Sequence, residues 1–286
     1  MESKAENKPV NPLSAHFRQP AIYIRLPSAG QFWSSGLNMS ANGELPVYPM
    51  TARDEITLRT PDALLNGQGV IDVIQSCCPS ITDAWRMPST DVDAVLIAIR
   101  IASYGNEMSF DTTCPHCQTE DRFGADLGHL LGGIRTPDYS KKLHLGDIVI
   151  KLKPQEYQSI NSTNQINYEE QRVLNTLANA ELDDEVRLTE YKKHMERLVD
   201  LNAKILVDST EYIEIQSSGT VVVESAFIKE FYLNCGADIC KAVREQLAEF
   251  SKQGALQNST ATCTECTNTY EVPLTFDYAS FFADSS

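Results

Sequence analysis

The chain has 286 residues, a formal charge of −15 and 42% hydrophobic residues, enough apolar content for a substantial core and too much for disorder throughout. That charge, with no dense Lys/Arg block to offset it, repels phosphate backbones and argues against nucleic acid as a partner. Met1–Lys8 lacks the apolar core of a signal peptide, and the most apolar run, Val92 to Ala102, is too short to span a membrane and carries Arg100; a soluble protein of a reducing cytoplasm is expected, where eight cysteines point to metal or burial rather than disulfides.

Residues 1–60 show no sustained helical period and many punctuators, among them Pro20, Pro27, Gly30, Gly36, Pro46 and Pro49. They read as an extended N-terminal arm. Interleaved Phe17, Ile22, Tyr23, Ile24, Leu26, Phe32, Trp33 and Tyr48 make it stickier than a flexible linker, suited to wrapping either its own domain or a neighbour. Residues 61–286 form the expected helical and zinc-ribbon domain. At Thr60-Pro61-Asp62 a cap, a helix-start proline and a first-turn acid predict a short helix ending near Asn66-Gly67. A second helix places Val70, Ile71, Val73, Ile74, Cys77 and Cys78 at helical spacing until Pro79. Ser89-Thr90-Asp91 is the expected cap of a central helix, apolar nearly all round, that ends at Tyr104-Gly105.

That helix leads into Cys114-Pro115-His116-Cys117, the first of two C-x-x-C hooks; the second is Cys263-Thr264-Glu265-Cys266. Each places two thiolates to grip one cation, and together they complete the tetrahedral four-sulfur shell of one structural Zn²⁺. The flanks echo one another, Thr113 with Thr262 and Arg122–Leu127 with Glu271–Asp277, which predicts two β-hairpin knuckles near 107–125 and 260–275 packed as a bipartite zinc ribbon. Compact ribbons separate their hooks by about 15–20 residues; about 145 residues here require an inserted domain. Knuckles commonly carry Gly after the second cysteine, where this chain has Gln118 and Thr267, and Asn268 is a candidate for the left-handed conformation instead.

Within the insertion, Lys142–Leu145 and Ile148–Leu152 flank Gly146-Asp147 as a hairpin. From about Tyr168 to Val207 the chain reads as charged and helical, with Leu174, Leu177, Leu188, Tyr191, Met195, Leu198, Leu201 and Leu206 as stripe positions and a break at Asp183-Asp184. Helix dominates the expectation over about 155–253, with Val221–Val223 as a short strand or helix lead-in and two further helices ending at Lys252-Gln253-Gly254. Phe276, Tyr278, Phe281 and Phe282 form an aromatic tail that seals the domain or docks on a partner. The fold class is therefore α+β, with a mainly helical core, the bipartite zinc ribbon and the arm.

No G-x-S-x-G, Walker loop or H-E-x-x-H occurs, Gly67-Gln68-Gly69 lacks the rest of a dinucleotide fingerprint, and the five histidines are scattered. No catalytic residue or small-molecule substrate is indicated. The rival from another class is a cytosolic thiol–disulfide oxidoreductase using Cys114 and Cys117, whose chemistry needs the first cysteine at a helix N-terminus; Gln118–Phe123 reads instead as turn and strand.

The run Leu26-Pro27-Ser28-x-Gly30-x-Phe32, then Glu44-Leu45-Pro46-Val47-Tyr48-Pro49-Met50-Thr51-Ala52-x-Asp54-Glu55, then Thr60–Gly67 is followed by Val70-Ile71-x-x-Ile74-x-Ser76-Cys77, Met87-Pro88-x-x-Asp91 and the first C-P-x-C. Together these segments resemble the T4-type bacteriophage baseplate protein family, described as baseplate hub subunits or hub-assembly chaperones. The resemblance implies a non-enzymatic protein of a contractile-tail phage, acting in host cytoplasm during tail assembly or held in the virion tail baseplate. Its partners would be other baseplate and tail proteins, and Leu26, Pro27, Phe32, Pro46, Tyr48 and Pro49 are the candidate anchors of that interface.

Overall fold

The computed structural model describes residues 11–60, 67–179, 183–256, 259–272 and 281–282, and within them the chain is α+β, with eight α-helices and ten short strands. The short helix expected after Thr60 and the aromatics Phe276 and Tyr278 lie outside the described residues.

The first core is built by the arm and the two helices that follow it. Strands β1 (Ile22–Ile24) and β2 (Leu45–Val47) pair antiparallel, so Ile24, Leu45 and Val47 turn inward while Tyr23 faces solvent opposite Pro46. Helix α1 (Ala52–Leu58) begins at a full capping box in which the Thr51 hydroxyl and the Asp54 carboxylate satisfy each other's backbone N–H groups. The arm was expected to contain no helix, and Thr51-x-x-Asp54 is the local signal for this one. Helix α2 (Gln68–Cys77) buries Val70, Ile71, Val73, Ile74 and Cys77. Helix α3 (Ser89–Tyr104) buries nine side chains on all sides, as a central helix should, and short α4 (Leu127–Gly133) packs against it.

Two buried polar contacts fasten the arm. The Arg18 guanidinium donates to the Pro49 carbonyl at 2.7 Å, to the Ser76 carbonyl at 2.7 Å and to Ser76 Oγ at 2.9 Å, and pairs with Asp54 at 3.3 Å. The Ser76 carbonyl is one of the end-of-helix acceptors of α2 that no helical N–H reaches, so one fork joins arm, α1 and α2. Arg18→Ala is expected to lower the unfolding free energy by about 2 kcal/mol, read as a shifted urea midpoint, with Arg18→Lys recovering only part because an ammonium lacks the fork.

The second contact corrects the expected cap of α3. Pro88 is the N-cap and makes no side-chain capping bond. Asp91, fully buried, directs its carboxylate to the arm, accepting from Ser28 N–H at 2.9 Å, Ser28 Oγ–H at 2.5 Å and Trp33 Nε1–H at 2.9 Å.

The second core lies in the long insertion. Strands β5 (Lys142–Leu145), β6 (Ile148–Leu152), β7 (Thr210–Ile215) and β8 (Thr220–Val222) form one antiparallel sheet in that order. Between β6 and β7 rises a helical hairpin, α5 (Tyr157–Asn179) and α6 (Asp184–Asp208), with Asp183 capping α6 where the break was expected. Strand β7 is a departure from the helical expectation for this region, and Val221 does lie in a strand. Helices α7 (Ser225–Asn234) and α8 (Ala237–Gly254) close over the sheet, burying Ile150, Leu152, Leu206, Ile213, Ile228, Tyr232, Val243 and Phe250 together. The arm reaches this core as well: Phe32 meets Tyr139 edge-on at 5.3 Å between ring centroids, and Tyr139 packs on Phe250 at 4.5 Å. The arm thus packs on its own chain at both cores.

Candidate metal centre

Two hairpins carry the cysteines. Strands β3 (Glu107–Thr113) and β4 (Glu120–Asp126) pair with Thr113 opposite Glu120; β9 (Ser259–Thr262) and β10 (Thr269–Val272) pair with Thr262 opposite Thr269. The two loops have the same length and the same internal bonds. Cys114 N–H donates to the Thr119 carbonyl and Gln118 N–H to the Cys114 carbonyl, each at 2.9 Å; Cys263 N–H donates to the Asn268 carbonyl at 2.9 Å and Thr267 N–H to the Cys263 carbonyl at 3.0 Å. Gln118 (φ 59°) and Thr267 (φ 56°) adopt the left-handed conformation themselves, so the expectation for Asn268 is corrected. Holding a β-branched threonine there is costly, and two hairpins accept the same strain in the same place because the turn must aim both thiols at one point.

The thiols converge. All four Sγ atoms of Cys114, Cys117, Cys263 and Cys266 lie within 4.8 Å of one another, the one such cluster of three or more metal-ligating side chains among the described residues. The short approaches cross over, Cys114 to Cys266 at 3.7 Å and Cys117 to Cys263 at 3.5 Å. Exchanging the two hairpins turns one of these contacts into the other, so the half-sites face each other about an approximate two-fold. A tetrahedral ion with metal–sulfur bonds of about 2.3 Å needs sulfur–sulfur edges of roughly 3.8 Å, and the donor set meets that requirement. Four thiolates leave no open position for water, so such a centre would be structural.

Supporting interactions fix the hooks. The Asp121 carboxylate of the first hairpin accepts from Thr264 N–H in the second hook at 3.1 Å, and this bond, with that from Arg122 N–H, holds its carboxyl below the usual range. The symmetry-related amide would be that of Pro115, which has no N–H, so the brace exists on one side alone. Cys117, beside the Thr119 hydroxyl at 3.3 Å, is drawn down to about 6 by its hydrogen bonds with Thr119, whereas Cys266 is pushed up to about 12, its backbone bond with Asn268 being outweighed by burial and by the hydrogen bonds of the other three sulfurs. His116 is exposed and outside the cluster. Away from the cluster, burial pushes Cys77 up to about 12, raises Cys78 further and, with the Cys240 Sγ at 3.4 Å, lifts Cys235 to about 11. These are thiols of the core.

The centre is continuous with the first core. Met108, Ala125, Ala261 and Val272 from the two hairpins join the cluster formed by α2 and α3, together with Phe281 and Phe282. Buried Arg100 of α3 lies over the rings of Tyr104 at 5.1 Å and Phe281 at 5.6 Å, so these described members of the aromatic tail seal the domain. Cys114 opens a hairpin turn and β4 follows it, in place of the helix that the redox reading of the first hook requires.

The proposed interface anchors are distributed differently. Leu26 is buried in the first core and Phe32 packs on Tyr139, whereas Pro27, Pro46, Tyr48 and Pro49 are half-buried. Tyr23, absent from that group, stands 63% exposed opposite Pro46. A polar cluster between α5 and α6 also escaped the sequence reading: buried Glu170 accepts from Arg197 at 3.1 Å and lies 2.5 Å from Nδ1 of buried His194, and these contacts, His194 foremost, hold its carboxyl below the usual range. It clamps the helical hairpin.

No helix among the described residues is long and apolar enough to cross a membrane. A family model described as T4 bacteriophage base plate protein matches residues 25–283, a span that contains both hooks, the second core and all of the first core but strand β1. Neither the curated proteins nor the solved structures give a significant match.

Proposed function

The chain belongs to the T4 bacteriophage base plate protein family, and from that membership we propose that it is a non-enzymatic assembly protein of the phage baseplate, a hub component or a hub-assembly chaperone, acting through contacts with other tail proteins. The observation that carries this reading is the extent of the match, which runs from the arm to the tail. Physical features support it. Cysteines that would be expensive to keep for catalysis sit in a closed four-thiolate cluster, and one Zn²⁺ held by Cys114, Cys117, Cys263 and Cys266 would supply a fixed cross-link between two hairpins. Four sulfur donors select a soft or borderline ion, and zinc suits a site without redox turnover. Synthesis and first action would be in host cytoplasm.

The contact surface we assign is formed by Pro27, Pro46, Tyr48 and Pro49, extended by exposed Tyr23, with Leu26 held in the first core and Phe32 against Tyr139. Aromatic and proline side chains on and beside a short two-stranded sheet offer rigid area that costs little entropy to dock. Replacing Tyr23 and Tyr48 together with alanine should weaken co-purification with the phage's baseplate proteins at least tenfold, with the circular dichroism unchanged; full retention would sink the assignment. Mass spectrometry of purified virions separates the two roles, since a hub component is retained and a chaperone is not.

A further inference from the structure

Helix α6 has two apolar faces and the fold covers one of them. His194, Leu198, Leu201 and Ile205 lie toward α5 and the second core, with Leu201 buried and the His194–Glu170 contact inside the hairpin. About 100° further round the helix, Leu188, Tyr191, Met195 and Val199 recur at the spacing of a helix-packing stripe. Leu188 is 57%, Met195 51% and Val199 57% exposed, and the three line a shallow groove with Tyr191, Lys192 and Glu196. A strand of exposed large apolar side chains along three turns of one helix is more than scattered surface hydrophobicity.

The charges beside this stripe choose its occupant. Lys192 and Glu196 stand one turn apart on the same flank, and neither forms an ion pair with another described residue. When two identical helices pack antiparallel about a two-fold axis, each flank meets its own copy running the other way. An axis placed near residue 194 then sets Lys192 against Glu196 of the other copy, twice, while Leu188 comes level with the other copy's Val199 and Asp200 and Met195 packs near the axis. A parallel pair would instead set this flank against the Tyr191 side, where no such complement exists.

We propose that the Leu188–Val199 face of α6 is a self-association surface, occupied by the same face of a second copy in antiparallel register, with reciprocal Lys192–Glu196 pairs fixing the alignment. Three turns of helix bury less than a standard interface of about 1,600 Å², so the dimer belongs to the weak class and assembles in the micromolar range. The charge of −15 on each copy opposes approach at low salt, and at about 0.15 M ionic strength that long-range repulsion is screened beyond roughly 8 Å. The surface lies in the helical hairpin, away from the arm contact surface, and the proposal stands whether or not the arm contacts tail proteins.

Sedimentation velocity of the full chain over roughly 1–200 µM at that salt tests it. A concentration-dependent monomer–dimer equilibrium is expected, and Met195→Glu should weaken it at least tenfold with unchanged helicity. Lys192→Glu and Glu196→Lys should each be monomeric alone, while an equimolar mixture of the two forms a heterodimer, because the mixture restores both opposite-charge pairs. A wild-type monomer throughout the range, or a dimer indifferent to Met195→Glu, overturns the proposal. A dimer lost with Met195→Glu but without rescue in the mixture overturns the antiparallel register.

Discussion

Cys263→Ser is expected to abolish metal binding and to remove on the order of 5 kcal/mol of stability. In small zinc-finger peptides the metal contributes about 10–16 kcal/mol at neutral pH and is the folding energy itself. Here the first core retains its own helices, so only part of that is at stake. For a chain of this size the loss corresponds to a thermal midpoint lower by roughly 10–20 °C. Elemental analysis of protein purified under reducing conditions should find one Zn²⁺ per chain in the wild type and in a Cys235→Ser control, and none in Cys263→Ser. A wild-type protein without metal, or a variant that keeps both metal and midpoint, refutes the four-thiolate staple. Because the hooks sit 146 positions apart at the Cys117–Cys263 contact, limited proteolysis adds a second readout: metal-bound protein cut between the hooks should stay together, and chelation should let the pieces part.

Asp91→Ala should free the arm from α3 at a cost on the order of 3 kcal/mol. Three donors, Ser28 N–H, Ser28 Oγ–H and Trp33 Nε1–H, lose their acceptor, and each stranded buried donor costs about 1–3 kcal/mol. Removing a buried carboxylate returns part of this. Burial raises the Asp91 carboxyl above its ordinary value, outweighing the Ser28 and Trp33 bonds that favour the anion. The sign follows: a group raised in the folded state adds stability that is present below its unfolded value of about 3.9 and is lost as pH rises through the folded value. Asp91→Asn should therefore flatten the pH dependence of stability just above pH 4 or so. Hydrogen exchange at Ser28–Trp33 would report arm release directly, and protection unchanged in Asp91→Ala would refute the lock.

What the sequence disclosed depended on how far apart the informative residues lie. The cysteine hooks, the hairpin around Gly146-Asp147 and helix α3 are local patterns, and each stands where its pattern falls. Strand β7 has its own alternation, Thr210-Glu211-Tyr212-Ile213-Glu214-Ile215, yet follows α6 with no glycine or proline to separate them, so a helical reading ran on into it. Asp91 sits where a first-turn acid belongs, and its real partners are 58 and 63 positions away. Arg18 likewise joins Asp54 and Ser76 over 36 and 58 positions. Nothing in the flanking residues of either encodes such a pairing. The four-cysteine cluster was legible because its ligand chemistry is confined to one residue type, whereas the candidate arm anchors mixed inward-facing Leu26 with surface positions that sequence alone does not separate.

The placement of the two hooks also sets a clock. A ribosome releases the first hook with its two thiols and must then add everything up to Cys263 before their counterparts exist, which at about 5–20 residues per second takes roughly 7–30 s. During that interval a nascent chain holds only half a coordination shell and both sheets and helices of the second core must form without the cross-link. An ion bound there could lock only a molecule whose insertion has already brought its ends together, so metal retention would act as a proofreading step that discriminates finished, correctly folded chains from truncated ones.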